Sequence, residues 1–347
     1  MYLVIDCRFI RKSGIGTFIE NVVNWMLSNH PENDYLLIVN RDAHYKENGS
    51  VRLLKTSFKP FSLQELLVFP VRQINKCDAY FTPYINIPAG IEIPVYSTIH
   101  DMLFFDVDGL VSSKGKFIRK LFYRRAISRS EKVFTVSEFS KKRILHHFPT
   151  KKDVLVVPNG ISTQIRSFHE VDREKEDYYI FVGNIKKHKG IKSLLEAFAE
   201  ARKSGLKSKL YIVGEYERFR TSDSILTDYY HTEGVEFTGY LPNEKLWKMI
   251  AKAKALIQPS EYEGFGIPPI EALYLGTNVI LSDIPVFKEV YHDLPVTFFS
   301  CGDSHELRDI LIKYQPQTFN LRQVRDDIDR KYSYAIAADM IISEISK

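Results

Sequence analysis

Two glutamates eight positions apart, Glu263 and Glu271, bracket a turn rich in glycine and proline: Pro259-Ser260-Glu261-Tyr262-Glu263-Gly264-Phe265-Gly266-Ile267-Pro268-Pro269-Ile270-Glu271-Ala272-Leu273. Gly264 and Gly266 let the backbone turn tightly and leave N–H groups open to a ligand. Pro268 and Pro269 lack donors and fit the first turn of a helix, where no intrahelical donor is needed. The start of that helix carries roughly half a positive charge and suits a phosphate. Carboxylates beside it are poor phosphate ligands but good acceptors for sugar and ribose hydroxyls. A hydroxyl-rich ligand that also carries a diphosphate fits these residue types better than ATP alone.

Three further segments hold groups that serve the same chemistry. In Phe181-Val182-Gly183-Asn184-Ile185-Lys186-Lys187-His188-Lys189-Gly190 an apolar run ends in a glycine followed by basic side chains. A departing diphosphate needs such charge, because negative charge builds on its oxygens. His100 ends the run Thr98-Ile99-His100-Asp101, where a neutral imidazole can hydrogen-bond a sugar hydroxyl. Gly14-Ile15-Gly16 reads as a glycine loop, but position 19 is Ile, so the third glycine of a dinucleotide fingerprint is missing.

The elements that must position these residues alternate along the chain. Strand-like runs at 2–6, 35–39, 51–54, 79–81, 95–99, 132–136 and 154–157 are interleaved with helical spacing at 15–27, 114–128 and 138–147. Residues 161–177 are polar without periodicity and read as a linker. Strand and helix patterns then resume at 178–182, 189–203, 209–213, 235–237, 255–257 and 278–281, and residues 332–346 look helical. Repeated strand–helix units imply an α/β fold with parallel sheets. The expectation is two Rossmann-like domains facing a cleft, residues 1–165 and 166–329, with ligands beyond the carboxyl ends of the strands.

Composition narrows the class. The chain has 347 residues, 44% apolar and 13% aromatic, enough for two cores and too apolar for disorder. Cys7, Cys77 and Cys301 are far apart and read as free, buried thiols of a reducing compartment rather than a disulfide framework or a zinc site. The opening apolar run ends at Asp6 and is followed by Arg8, Arg11 and Lys12, unlike a signal peptide; no stretch has the ~18 apolar residues of a membrane helix. A cytoplasmic protein is expected, peripheral on a membrane at most. The net charge of +5 is unevenly placed: residues 112–152 hold thirteen Lys and Arg against two acids. Within them, residues 114–128 form a basic helical pattern with Phe117, Ile118, Leu121, Phe122 and Ile127 on its apolar side. Arg119, Lys120, Arg124 and Arg125 are the candidates for an anionic partner such as a membrane surface.

The string from Pro259 to Ala272 resembles the GT-B glycosyltransferases, in particular the retaining family 4 with seven residues between its two glutamates. The segments around Gly14, His100, Ser137, Asn159, Gly183 and Tyr240 resemble the same family in the same order. The resemblance implies a nucleotide-diphosphate sugar as donor, with no other cofactor and no metal. Glu271 would hold ribose, Glu263 with Gly264, Phe265, Gly266 and Ile267 the sugar, and Tyr240 and Leu241 the base. Lys189 with Gly14, Gly16 and Gly183 would take the diphosphate, and His100 would lie by the transferred sugar. Many relatives place Arg after the glycine at 183; here it is Asn184, so Lys186, Lys187 or His188 is the alternative second contact. The resemblance also implies a helix at 330–347 crossing back to the first domain, and a saccharide or polyprenyl-diphosphate-linked acceptor on the N-terminal side. Asp106-Val107-Asp108 and Asp327-Ile328-Asp329 are short acidic repeats and no metal is assigned to them. A nucleotide-sugar epimerase of the same fold, a non-catalytic sugar-nucleotide binder and a nucleic-acid-binding protein are the competing classes, the last without a recognisable motif.

Overall fold

The structure is a computed structural model that describes residues 1–10, 13–41, 45–58, 62–168, 174–215 and 232–347. The chain divides into two compact units, Met1–Asn159 with Tyr332–Lys347, and Gly160–Lys331.

The first unit holds strands β1 (Tyr2–Asp6), β2 (Asp34–Asn40), β3 (Val51–Thr56), β4 (Ala79–Thr82), β5 (Val95–Thr98), β6 (Ser130–Thr135) and β7 (Val154–Val156). They form one parallel sheet in the order β3-β2-β1-β4-β5-β6-β7. The second unit holds β8 (Glu176–Val182), β9 (Lys209–Val213), β10 (Val235–Gly239), β11 (Ala253–Gln258), β12 (Asn278–Ser282) and β13 (Val296–Phe299). Their order is β10-β9-β8-β11-β12-β13, again parallel. Most of these strands are apolar runs because helices cover both faces of a parallel sheet; β12, NVILS, is buried throughout. In each sheet the chain winds outward one way from its first strand and then the other, so the strand order reverses beside β1 and β4, and beside β8 and β11. Loops diverge at such a switch point and leave room for a ligand at the carboxyl edge.

The helix Ser13–Asn29 and the C-terminal helix Tyr334–Ile345 bury Phe18, Val22, Met26, Ala338 and Ile341 in one core on the first sheet. The C-terminal helix thus belongs to the first unit, as expected. The helix Ile191–Lys203 and the helix Ser304–Lys313 cover one face of the second sheet through Leu194, Phe198, Leu307 and Leu311. Each fully buried side chain of this size contributes about 1.5–3 kcal/mol.

Several expectations need correction. Residues 161–168 are not a bare linker: Ser162 caps a short helix, Thr163–Arg166, through the Ile165 N–H at 3.2 Å. β8 already begins at Glu176, and residues 169–173 lie outside the described residues. Gly14 and Gly16 do not form a loop; they sit in the first turn of the helix Ser13–Asn29. The helix expected at 114–128 runs from Ser113 to Arg129, but Phe117, Ile118 and Leu121 face solvent, while Tyr123, Ala126 and Ile127 meet the core. Cys7 and Cys77 are buried and Cys301 is exposed.

Candidate active site

The two loops that leave β8 and β11 meet at the second sheet's switch point. After β8 the chain makes one turn of 3-10 helix, Lys187–Lys189, and enters the helix Ile191–Lys203 through Gly190 at φ 65°. A Cβ on Gly190 would overlap the Pro259 carbonyl oxygen, so only glycine lets the loops touch. The Glu261 N–H donates to the His188 carbonyl at 2.9 Å and closes the seam.

That seam brings together side chains 74 positions apart. Lys189 Nζ donates to Glu263 Oε1 at 2.6 Å. The same oxygen accepts from Ser260 Oγ at 2.8 Å and from Gln258 Nε2 at 3.4 Å. Glu263 Oε1 is therefore saturated, while no described residue bonds Oε2. The ammonium spends one of its three protons on Glu263 and keeps two for a ligand.

Beyond Glu263, Gly266 at φ 96° precedes the helix Ile267–Tyr274, with prolines in its first turn as anticipated. A Cβ on Gly266 would stand 2.6 Å from Phe287. The Gly266 carbonyl accepts from the buried Tyr291 hydroxyl. The turn is thus held from beneath, while Gly264 and Ile267 are half-buried. The Phe265 ring is core, so only its backbone can face a ligand. Glu271 is half-buried beside no ion-pair partner among the described residues, and burial pushes its carboxyl up to about 8.

Around this centre, Gly183 ends β8 and Asn184 is half-buried. Lys186 and Lys187 are exposed. His188 is not a cation: burial, and then the charge of Lys189, push its imidazole down to about 4. Tyr240 follows β10 and is 69% exposed, with Leu241 half-buried beside it.

In the first unit, burial pushes His100 down to about 4, so the ring is neutral. Its Nε2 lies 3.0 Å from the Pro83 carbonyl. A carbonyl only accepts, so Nε2 carries the proton and Nδ1 is left as acceptor. At the carboxyl end of β1 lies a group that sequence reasoning missed. Arg8 is fully buried, 2.6 Å from Asp6 and 2.5 Å from Glu65. The Asp6-x-Arg8 pair at a strand end was the available signal, and Arg8 had entered only as one of the charges that follow the opening apolar run.

Comparison with known proteins follows this geometry. The sequence model described as "Glycosyl transferases group 1" matches residues 163–314, and "Glycosyltransferase Family 4" matches residues 74–165. The two glycosyltransferase models together match residues 74–314, and the fold is the GT-B arrangement of two Rossmann-like units. It is 30% identical over 230 residues to the O-antigen chain mannosyltransferase RfbU of Salmonella typhimurium, covering 64% of this chain and 61% of that protein. It is 24% identical over 229 residues to the O-antigen chain mannosyltransferase B of Escherichia coli, covering 62% and 59%. The matches thus span about three fifths of the length of these curated relatives. Sucrose-phosphate synthase from Thermosynechococcus elongatus aligns over 98% of this chain and 97% of its own, with TM-score 0.75 and 16% identity. Anabaena HepE, solved with UDP and glucose, aligns over 100% and 99%, with TM-score 0.76 and 14% identity. At such identity these two structures speak for the fold.

The four basic residues singled out on the helix Ser113–Arg129 have different duties. Arg125 donates to the Ile87 and Pro88 carbonyls at 3.0 and 3.1 Å and serves the unit's own backbone. Arg119 stacks on Phe104 at 3.8 Å. Lys120 and Arg124 are exposed, on the helix that also presents Phe117, Ile118 and Leu121 to solvent. Phe105, Lys116, Phe117, Lys120, His147 and Phe148 line a cavity of about 360 Å³ at this helix. Asp106 of the first acidic repeat is clasped by Arg143 and by His147, the latter at 2.6 Å. No described helix is long and apolar enough to cross a membrane.

Proposed function

We propose that the chain is a retaining glycosyltransferase, moving a hexose from a nucleotide-diphosphate sugar to a saccharide acceptor in cell-surface polysaccharide synthesis. The observation that carries this reading is the Lys189–Glu263 pair at the second switch point, one turn from the start of the helix Ile267–Tyr274. Glu263 Oε2 and the backbone at Gly264–Gly266 take the sugar hydroxyls. Glu271 takes the ribose, and Tyr240 and Leu241 the base. Lys189, the backbone at Gly183 and the first turn at Gly14 and Gly16 take the diphosphate charge, an electrostatic contribution that grows as the bond to the leaving group lengthens. The acceptor oxygen bonds the anomeric carbon on the face from which the diphosphate departs; the anomeric carbon–oxygen bond breaks, and a leaving phosphate oxygen takes the acceptor's proton. His100 Nδ1 accepts from a hydroxyl of the transferred sugar.

The acceptor in this reading is lipid-linked. The exposed Phe117, Ile118 and Leu121 among Lys114, Lys120 and Arg124 suit an anionic membrane surface on the cytoplasmic side. Charge reversal at Lys120 and Arg124 should release the protein from phosphatidylglycerol vesicles in a flotation assay; unchanged binding removes the lipid surface from the reading. The mannosyltransferases among the relatives make mannose the first sugar to test. Thermal shifts with UDP, GDP, dTDP and ADP identify the base, since bound ligand raises apparent stability. The chemistry is tested by Glu263→Ala: transfer should fall by at least about a hundredfold while the nucleotide still raises the melting temperature. Full activity in that variant would refute the role given to Glu263.

A further inference from the structure

The first unit holds a cavity that the reaction does not use. Lys116 and Lys120, four residues apart, share one side of the helix Ser113–Arg129, with Phe117 next to Lys116. Across from them stand Phe105 of the short helix Leu103–Asp106, and His147 and Phe148 at the end of the helix Glu138–His147. The space between them is about 360 Å³, within the roughly 300–1,000 Å³ of small-molecule sites. The helix Glu138–His147 begins just past β6, where Ser137 Oγ accepts from the Ser140 N–H at 3.0 Å. Its ten residues span about 15 Å. The cavity thus lies at the end of that helix away from the carboxyl edge, where the sugar chemistry is placed.

Its walls are of two kinds. The Phe105 ring meets Phe148 edge-on at 5.4 Å and Tyr123 at 5.2 Å between centroids, so the inner rings are backed by the core. Phe117 is 62% exposed. The charge is positive. Lys120 is exposed and pairs with no described residue. Lys116 Nζ donates to the Phe105 carbonyl at 3.3 Å and lies 3.5 Å from Asp108 Oδ1, on a fully exposed side chain, an ion pair that water weakens. Asp106 is matched by Arg143 and His147. The helix Ser113–Arg129 itself carries seven Lys and Arg and no acid.

We propose that this cavity seats the phosphate end of a single lipid, its oxygens on Lys116 and Lys120 and the first methylenes of its chain on Phe105, Phe117 and Phe148. An ammonium binds phosphate as a point charge, and two within one helical turn can share one group. A free phosphate would meet the lysines and leave the rings in water, whereas an alkyl phosphate covers both. Ile118 and Leu121, 44% and 48% exposed, extend the apolar surface along the same helix, which favours a lipid over a soluble phosphate ester. The inference deepens the membrane reading of this helix and rests on it for the source of the phosphate. It replaces diffuse attraction with one stoichiometric site and asks nothing of glycosyl transfer.

The experiment is isothermal titration calorimetry on the intact chain with octyl phosphate below its micelle concentration. Octyl glucoside carries the same chain without the charge, and inorganic phosphate the charge without the chain. Octyl phosphate should bind at one per chain, and each control at least about tenfold more weakly. Lys120→Ala and Phe117→Ala change exposed side chains, so the melting temperature should hold while octyl phosphate binding falls about tenfold in each. Arg124→Gln, one turn past Lys120 and outside the cavity, should leave that binding unchanged. An equal loss in Arg124→Gln, equal binding of either control, no binding of octyl phosphate, or binding indifferent to both alanine variants overturns the proposal. Vesicle flotation run in parallel separates the two readings. Octyl phosphate bound by a chain that ignores phosphatidylglycerol vesicles refutes the membrane surface and leaves the alkyl phosphate site standing; vesicle binding without octyl phosphate binding does the reverse.

Discussion

At the carboxyl edge of the second sheet, one ammonium meets one carboxylate, and both keep part of their surface in solvent, 20% of the Lys189 side chain and 12% of that of Glu263. At the same edge of the first sheet, one guanidinium lies between two carboxylates and is closed off completely. The strand order around the two places is the same, so the winding of the chain does not decide their chemistry. Loop composition does. Glycine at 190 lets backbone approach backbone, and glycine at 266 lets the Phe287 ring lie against the turn. Asp6, Arg8, Glu65 and Asn86 instead pair with one another in the interior. The open pair suits an anion-bearing ligand that arrives and departs; the closed one suits a rigid floor.

The contrast can be broken at either end. Arg8→Met should have the largest effect, because it leaves two buried carboxylates without their cation. A loss of about 3–5 kcal/mol from the first unit is expected. Burial opposes the Arg8 charge, Asp6 and then Glu65 outweigh it, and its pKa is raised, while burial raises Glu65 as well. Calorimetry should show one lowered transition and a second that still responds to nucleotide; two unshifted transitions would mean the floor bears no load. Gly190→Ala should come next, at about 2–3 kcal/mol, through a left-handed φ and the overlap with Pro259. It should lower the other transition and abolish the nucleotide shift, leaving the first unit intact.

Glu271→Gln should be the smallest and the most specific. The folded pKa of Glu271, about 8, lies above its unfolded value, so the folded state binds the proton more tightly. Its stabilising contribution is full below the unfolded pKa near 4.5 and is lost as pH rises toward 8. The amide cannot ionise, so the variant should melt several degrees higher than the parent at pH 8 and at the same temperature at pH 4. Melting curves that stay parallel across this range would show that Glu271 is better solvated than its surroundings suggest.

Strands were easier to find from sequence than their consequences. Every strand except β13 appears as a short apolar run, since burial on both faces leaves no room for polar alternation. Val296–Phe299 escaped because it is four residues long and only Phe299 is buried. Glu263 and Lys189 were legible as types at a spacing, but their contact was not, because it depends on two loops meeting across parallel neighbours. For the helix Ser113–Arg129 the reading gave an apolar side and left open what that side meets. Spacing tells that Phe117, Ile118 and Leu121 share a side of the helix, and it is silent on whether that side meets a sheet or water. Arg8 was missed because a charged residue after a strand ordinarily points outward, and its partner Glu65 is 57 positions away.

The last sixteen residues complete the first unit: Ala338 and Ile341 fill the space against Phe18 and Met26. On a ribosome, Gly160–Lys331 has every strand of its own sheet before that segment emerges, whereas the first sheet, though synthesised earlier, must wait for it. The order of maturation is then the reverse of the order of synthesis, and a chain stalled before Tyr332 would present a finished second unit tethered to an unfinished first.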